Sequence, residues 1–465
     1  MAASPMSLKF TVRRSEPELV KPSKPTPHLA TFRFHIQVFQ FYGLNPLAQG
    51  KDPAKVIREA LADTLVFYYP FAGRLREKHD RKLLVDCTGD GALFVEADAD
   101  VSLGQFGDPI VPPFPCSEEL LVRFAGSDEI LNFPLMLMQL SCFSSFSLLL
   151  YILPDHNLIL PFKDVTRLRC GGFIVALQVN HTICDATGLA QFLTAIAEIA
   201  RGAESPSITP VWQRELLNAR DPPRITSRHI EYIDDDGIHE LTNHFPFQGM
   251  AHRTFLIGPS ELSLIRRQIP PHLHPCSKFE ALTACLWRCF IAAFHRTDSE
   301  EEVRMKMAVN ARSTFDPPLP EGFYGNAFTN IIATTCSSRL FKRWALGHAL
   351  QLIRNAKNMV NDEYMRSLAD LMVIRKRPSG MVKSYNVTDV KRVGFEDVDY
   401  GWGKAAYAGP PRAWASDTIP GVAFVLLPYR NGLGEDGITL LVSLPKSHMA
   451  RFVAALVQML KHSNA

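Results

Sequence analysis

Residues 178–192 read Gln178-Val-Asn-His-Thr-Ile-Cys-Asp-Ala-Thr-Gly-Leu-Ala-Gln-Phe192. The stretch crosses a boundary between two periodicities. Upstream, residues 172–180 carry the apolar run Phe173-Ile-Val-Ala-Leu177 and predict a buried strand. Downstream, residues 186–200 predict a helix. His181 and Asp185 fall at the junction, four residues apart. Read alone, the pair has plain explanations. His181 can satisfy a strand end, and Asp185 can sit in a first helical turn, where a carboxylate suits the helix dipole. Whether His181 is a base, a ligand or neither is decided by the rest of the chain.

The chain has 465 residues, more than one core holds, so two or three domains are expected. It is 46% hydrophobic and 21% charged, an ordinary globular balance. The net charge is only +3 and no Lys/Arg run is long enough to act as a phosphate stripe, which argues against a nucleic-acid partner. The first 20 residues lack the apolar core of a secretory signal, and no segment has the apolar length of a membrane span. Nine cysteines are scattered without a CxxC pair. Free thiols in a reducing cytosol fit them best.

Two mixed halves emerge along the chain. In the first, strands are predicted over 32–39, 71–75, 82–86, 92–97 and 172–180, with helices over 53–65 and 186–200. Residues 203–250 are rich in Pro, Asp and His and predict a linker. In the second half, helices are predicted over 279–293 and 346–372, and strands over 302–310, 421–427 and 438–444.

Several chemistries are excluded by missing signatures. There is no GxSxG elbow, no HExxH, no zinc-type Cys/His spacing, no Walker loop and no GxGxxG opening a helix after a strand. Transfer between two bound substrates remains. It needs a base for a hydroxyl or amine proton and donors for an oxyanion. A neutral histidine suits the base role near cytosolic pH.

The pieces gain meaning together. His181-Thr-Ile-Cys-Asp185 with Gly188 lies mid-chain, and Asp399-Tyr-Gly-Trp-Gly403 lies in the C-terminal third. In this order and at about this separation, the pair resembles the HxxxD and DFGWG motifs of the plant BAHD acyltransferases, with Tyr400 in place of the usual phenylalanine. The blocks Leu65-Val-Phe-Tyr-Tyr-Pro-Phe-Ala-Gly-Arg-Leu75, Leu282-Thr-Ala-Cys-Leu-Trp-Arg288, Val309-Asn-Ala-Arg312 and Tyr324-Gly-Asn-Ala327 extend the resemblance over nearly the whole chain. Within the family, the chain resembles the alcohol-acylating members.

The resemblance implies a mixed α/β fold of two chloramphenicol-acetyltransferase-like domains around a central solvent channel. The expected domains are 1–222, joined by 399–425, and 223–465. It implies an acyl-CoA-dependent O-acyltransferase that moves a benzoyl, anthraniloyl or short aliphatic group from CoA to a small alcohol. Acyl-CoA would be a co-substrate, with no permanently bound cofactor, no metal and a monomeric cytoplasmic state. His181 would be the general base. Asp185 would hold the loop through Arg312. Trp402 would be a possible oxyanion donor, and Asp399, Tyr400, Gly401 and Gly403 would form a structural turn. Ser384 and Asp389 would contact CoA. From the residues alone, Gly401 and Gly403 mark a turn, Trp402 reads as core, and Arg312 reads as a solvated or paired charge.

The chain departs from the family twice. Relatives run from a strand ending near Gln139 almost directly into Val165-Thr-Arg-Leu-Arg. Here residues 140–164, LSCFSSFSLLLYILPDHNLILPFKD, intervene. The segment is expected to split the hairpin leading to His181. It is heavy in Phe, Leu, Ser and Ile, residue types whose codons are often T-rich, which suggests translated intron, so a spliced message joining Gln139 to Val165 is expected. Second, about a dozen residues that relatives carry after Pro27 are absent. Two readings therefore stand beside the transferase: a non-catalytic or mis-spliced product, and an N-acyltransferase of the same fold.

Overall fold

Phe173, Ile174, Val175, Ala176 and Leu177 are all fully buried. A strand with core on both faces belongs at the centre of a sheet, and that is where it lies. The structure is a computed structural model. It describes residues 12–20, 35–48, 50–77, 83–122, 131–143, 171–232, 249–294, 300–342, 345–375, 385–413, 423–430 and 434–461.

The first half contains β1 (Val12–Arg14), β2 (Glu18–Val20), β3 (His35–Tyr42), α1 (Pro53–Phe67), β4 (Arg74–Glu77), β5 (Leu83–Asp86), β6 (Ala92–Ala99), β7 (Met136–Phe143), β8 (Phe173–Asn180) and α2 (Ala186–Ala200). The second contains β9 (Met250–Ile257), α3 (Pro259–Arg267), α4 (Lys278–Phe294), β10 (Glu302–Asn310), β11 (Phe328–Cys336), α5 (Ala345–Asn358), α6 (Asp362–Arg375), β12 (Tyr385–Asp389), β13 (Tyr407–Gly409), β14 (Ala423–Arg430), β15 (Asp436–Pro445) and α7 (Lys446–Lys461).

One sheet has the order β1-β6-β7-β8-β3-β13, with β2 also paired to β6. The other has the order β11-β10-β12-β14-β15-β9. Helix α1 starts where Asp52 Oδ1 accepts the amide of Ala54 at 3.0 Å and Pro53 fills the first turn. Its buried stripe, Ile57, Leu61 and Leu65, packs with α2 on one face of the first sheet. The other face meets the second sheet. Phe39, Phe41, Ile174 and Ala176 share a cluster with Val425, Leu427 and Leu441. Each such Phe, Ile, Val or Leu side chain, fully buried, contributes roughly 1.5–3 kcal/mol.

Several expectations change. Strand β7 does not stop near Gln139. Residues 140–143, the start of the intervening segment, continue it, with Leu140 opposite Val175 and Cys142 opposite Phe173. The rest of that segment, residues 21–34 around Pro27 and residues 233–248 lie outside the described residues. The strand expected over 71–75 begins only at Arg74: Phe71 and Ala72 end a 3-10 turn, Tyr69–Ala72, and Gly73 lies so close to β5 that a Cβ there would stand 2.5 Å from the Asp86 carbonyl. The span 346–372 is two helices. Asn361 Oδ1 accepts the Tyr364 amide at 2.9 Å and caps α6. Within 399–425, β13 pairs with β3 of the first sheet, whereas β14 belongs to the second. Residues 203–232 are not a free linker. Arg220 Nε lies 2.7 Å from Asp370 Oδ2 on α6, and Val211 bridges to Phe323.

Candidate active site

Strand β8 delivers His181 into a tight turn. Asn180 Oδ1 accepts the Thr182 amide at 3.0 Å, and the Asn180 carbonyl accepts Ile183 N at 3.1 Å. This Asx turn reverses the chain before α2. Asp185 caps that helix, its Oδ1 accepting Gly188 N at 3.0 Å. Gly188 must be glycine, since a Cβ would stand 1.8 Å from the Tyr324 carbonyl oxygen.

The turn is then fastened from outside. Arg312 grips Asp185 with a bidentate pair, Nη1 to Oδ2 and Nη2 to Oδ1, both at 2.8 Å. Asp185 Oδ2 also accepts Ala327 N at 3.0 Å. Four donors thus converge on one buried carboxylate, which makes it an anchor. Asn326 Nδ2 donates to the His181 carbonyl at 2.6 Å. Arg214 Nη2 donates to the Ile183 carbonyl at 2.6 Å.

His181 is only 5% exposed. Burial pushes its pKa below the ordinary 6.5. Its hydrogen bonds and the charge of Asp185 act in the opposite direction and do not cancel the effect. The imidazole is therefore neutral near pH 7 and competent to accept a proton. Its ring lies 5.7 Å from the ring of Phe328. Phe328 is the ladder partner of Asn310, and Asn310 lines a cavity of about 1200 Å³.

That cavity lies between the two sheets. Residues 109–111 and 405–408 form part of its lining, together with residues 308–310 of β10 and 427–430 of β14. Seven basic side chains line it: Arg266, Lys278, Lys357, Lys391, Arg392, Lys404 and Arg430. Four acids accompany them: Asp389, Glu396, Asp397 and Asp436. A basic, half-open cavity concentrates anions. Asp389 is in this wall, but its Oδ1 lies 2.6 Å from Lys391 Nζ. Its charge is thus paired with the lysine within the cavity wall. Ser384 lies outside the described residues.

The Asp399–Gly403 turn stands elsewhere. Asp399 Oδ1 accepts the amides of Gly401 and Gly403 at 2.7 and 2.8 Å. Both glycines have positive φ, 108° and 88°, which a side chain would strain. Tyr400 Oη donates to Gln40 Oε1 at 3.0 Å. Trp402 sets its edge on Phe173 at 5.3 Å. Phe173 and Asn180 are the two ends of β8, roughly 23 Å apart at about 3.3 Å per residue. Trp402 is thus remote from His181 and not placed as an oxyanion donor. It packs against the first sheet, and Asp399 closes the turn around it.

Sequence reasoning did not assign roles to Asn326 or Arg214. Asn326 lay in a quoted block, so its signal was present. Arg214 lay in a stretch read as linker. Among the described residues, no group of three or more His, Cys, Asp or Glu is placed to hold a metal ion, and no helix is long and apolar enough to cross a membrane.

Comparison with known proteins fits this geometry. A family model described as the transferase family matches residues 10–159 and 154–459, two pieces that meet inside the intervening segment. The chain is 51% identical over 465 aligned residues to benzyl alcohol O-benzoyltransferase of Petunia hybrida, covering 98% of this chain and 95% of that protein. It is 46% identical over 460 residues to alcohol acyl transferase 1 allele GSa of Malus domestica, covering 95% and 92%. The fold is similar to that of vinorine synthase, with a TM-score of 0.70 at 21% identity over 97% of this chain and 98% of that one. The chain belongs to this transferase family, the BAHD acyltransferases.

Proposed function

We propose that the chain is an acyl-CoA-dependent O-acyltransferase that moves a benzoyl, anthraniloyl or short aliphatic acyl group to a small alcohol. The observation that carries the reading is the neutral, buried His181 in a turn pinned by Asp185, Asn326 and two arginines. The naming of relatives as benzyl alcohol and alcohol acyltransferases supports the acceptor class.

In this mechanism His181 accepts the alcohol proton as the oxygen attacks the thioester carbonyl carbon. A tetrahedral intermediate forms. It collapses with a new C–O bond and a broken C–S bond, and the imidazolium returns its proton to the departing CoA sulfur. The base balances the proton across both halves of the reaction. Asp185 keeps the turn in place through its four hydrogen bonds. The phosphates of CoA are given to the basic cavity, with Lys278, Lys391 and Arg392 as its cationic wall. Cys184, Cys276, Cys285, Cys289 and Cys336 are free thiols, which suits action in the cytosol.

The test is thiol release from purified protein with benzoyl-CoA or acetyl-CoA, with and without benzyl alcohol or a short alkanol. Release that depends on the alcohol, with ester formed in equal amount, is expected. A folded protein that releases no thiol with any of these pairs contradicts the proposal.

A further inference from the structure

The catalytic turn is held by two arginines, and Asp185 accounts for only one of them. Arg214 comes from residues 203–232, the crossover that follows α2, well separated in sequence from both β8 and the Arg312 segment. Its Nη2 donates to the Ile183 carbonyl at 2.6 Å. Its guanidinium lies over Trp212 at 3.9 Å and near Tyr324 at 5.1 Å. Among the described residues no carboxylate forms an ion pair with it, although the charge of Asp185 acts on it. A cation kept mostly out of water on aromatic faces and one carbonyl is costly unless that carbonyl matters.

The room for it is also specific. A Cβ on Gly325 would stand 1.4 Å from Arg214 Nη1. The crossover itself is moored, with Val211 N donating to the Gly322 carbonyl at 2.9 Å. Arg214 thus ties three segments at once: the crossover, the Tyr324–Gly325 loop and the turn after His181.

We propose that Arg214 is a positioning residue for acyl transfer, fixing His181 by capping the Ile183 carbonyl two residues further along the same turn. The inference rests on the transferase reading above. Guanidinium rather than ammonium is required for the geometry. A flat fork reaches the carbonyl while its face stays stacked on Trp212, whereas a lysine offers a point charge without that plane. A misplacement of about 1 Å at a reacting group can lower a rate about 100-fold.

The test measures kcat, KM for both substrates and melting temperature for Arg214→Met, Arg214→Lys, Gly325→Ala and the double variant Arg214→Met/Gly325→Ala. Arg214→Met is expected to lower kcat about 10- to 100-fold, with both KM values within about threefold. Arg214→Lys should fall between it and wild type. Gly325→Ala should lower kcat by displacing the same side chain. The double variant should be no slower than the slower single, because both act through one contact. Wild-type kcat in folded Arg214→Met overturns the inference, as do fully additive losses. If Arg214→Met does not fold, Gly325→Ala decides, and wild-type kcat in it overturns the inference. An inactive wild-type chain would instead defeat the transferase reading itself.

Discussion

Two buried histidines in this chain sit among the residue types of catalysis. His181 has Asp185 four residues on. His229 has more. Its Nε2 lies 3.0 Å from Ser367 Oγ and its Nδ1 lies 3.4 Å from Glu231 Oε1. By composition that second group is a serine–histidine–acid triad. Its wiring says otherwise. Ser367 is fully buried, and its Oγ accepts the amides of Thr226 and Ser227 at 3.0 and 2.9 Å. Tyr364 also bonds Glu231. The ring of His229 is itself the fastening that ties the crossover to α6. At His181 the fastenings fall on the main chain, through the carbonyls of His181 and Ile183, and on Asp185. The ring then faces Phe328, beside the strand that walls the cavity. At His229 the ring is the tie between two segments, whereas at His181 the main-chain bonds and Asp185 hold the turn.

The comparison can be broken at either end. The largest effect belongs to Asp185→Ala. It strands the Arg312 guanidinium and the amides of Gly188 and Ala327. Breaking a buried pair of this kind costs about 3–5 kcal/mol, so chemical denaturation should show that loss together with lost turnover. His229→Ala should show the reverse pattern. Leaving Glu231 and Ser367 without their partner costs about 1–3 kcal/mol, while kcat per folded molecule stays at the wild-type value. An equal fall in kcat would mean that the crossover cluster reaches the site.

The smallest effect is in pH. The folded pKa of His181 is lowered beneath its unfolded value of 6.5. The unfolded chain therefore binds the extra proton first. This group's stability contribution is full above the unfolded pKa and is lost as pH falls through the folded one. Protonation also removes the base, so kcat/KM should show an acidic limb below pH 6.5 and none above it from this group. A limb centred above 6.5 would contradict the burial argument.

Much of this was legible in the sequence. The helix at 186–200 and the strand at 302–310 were read with the observed bounds, because their periodicity is strong and their ends are marked. The family's motifs placed Asp185 with Arg312, which stand as a bidentate pair. Strand β11 carried a β-branched signal in Phe328-Thr-Asn-Ile-Ile-Ala-Thr-Thr-Cys336 that was passed over, and helix α7 was not read at all. Other features were not legible. A strand end is set by ladder partners, so residues 140–143 could join β7 once Val175 and Phe173 stood opposite. Trp402 could be placed against Phe173 only by three-dimensional packing. Arg214 lies in a segment without periodicity, where only the fold shows what a side chain reaches.

One measurement tests the central claim most directly: alcohol-dependent thiol release by His181→Ala beside the wild-type chain, with melting temperatures for both. Loss of a general base lowers turnover about 10²- to 10⁴-fold. The account predicts a loss of that size with the melting temperature nearly unchanged. Wild-type turnover in folded His181→Ala would contradict it.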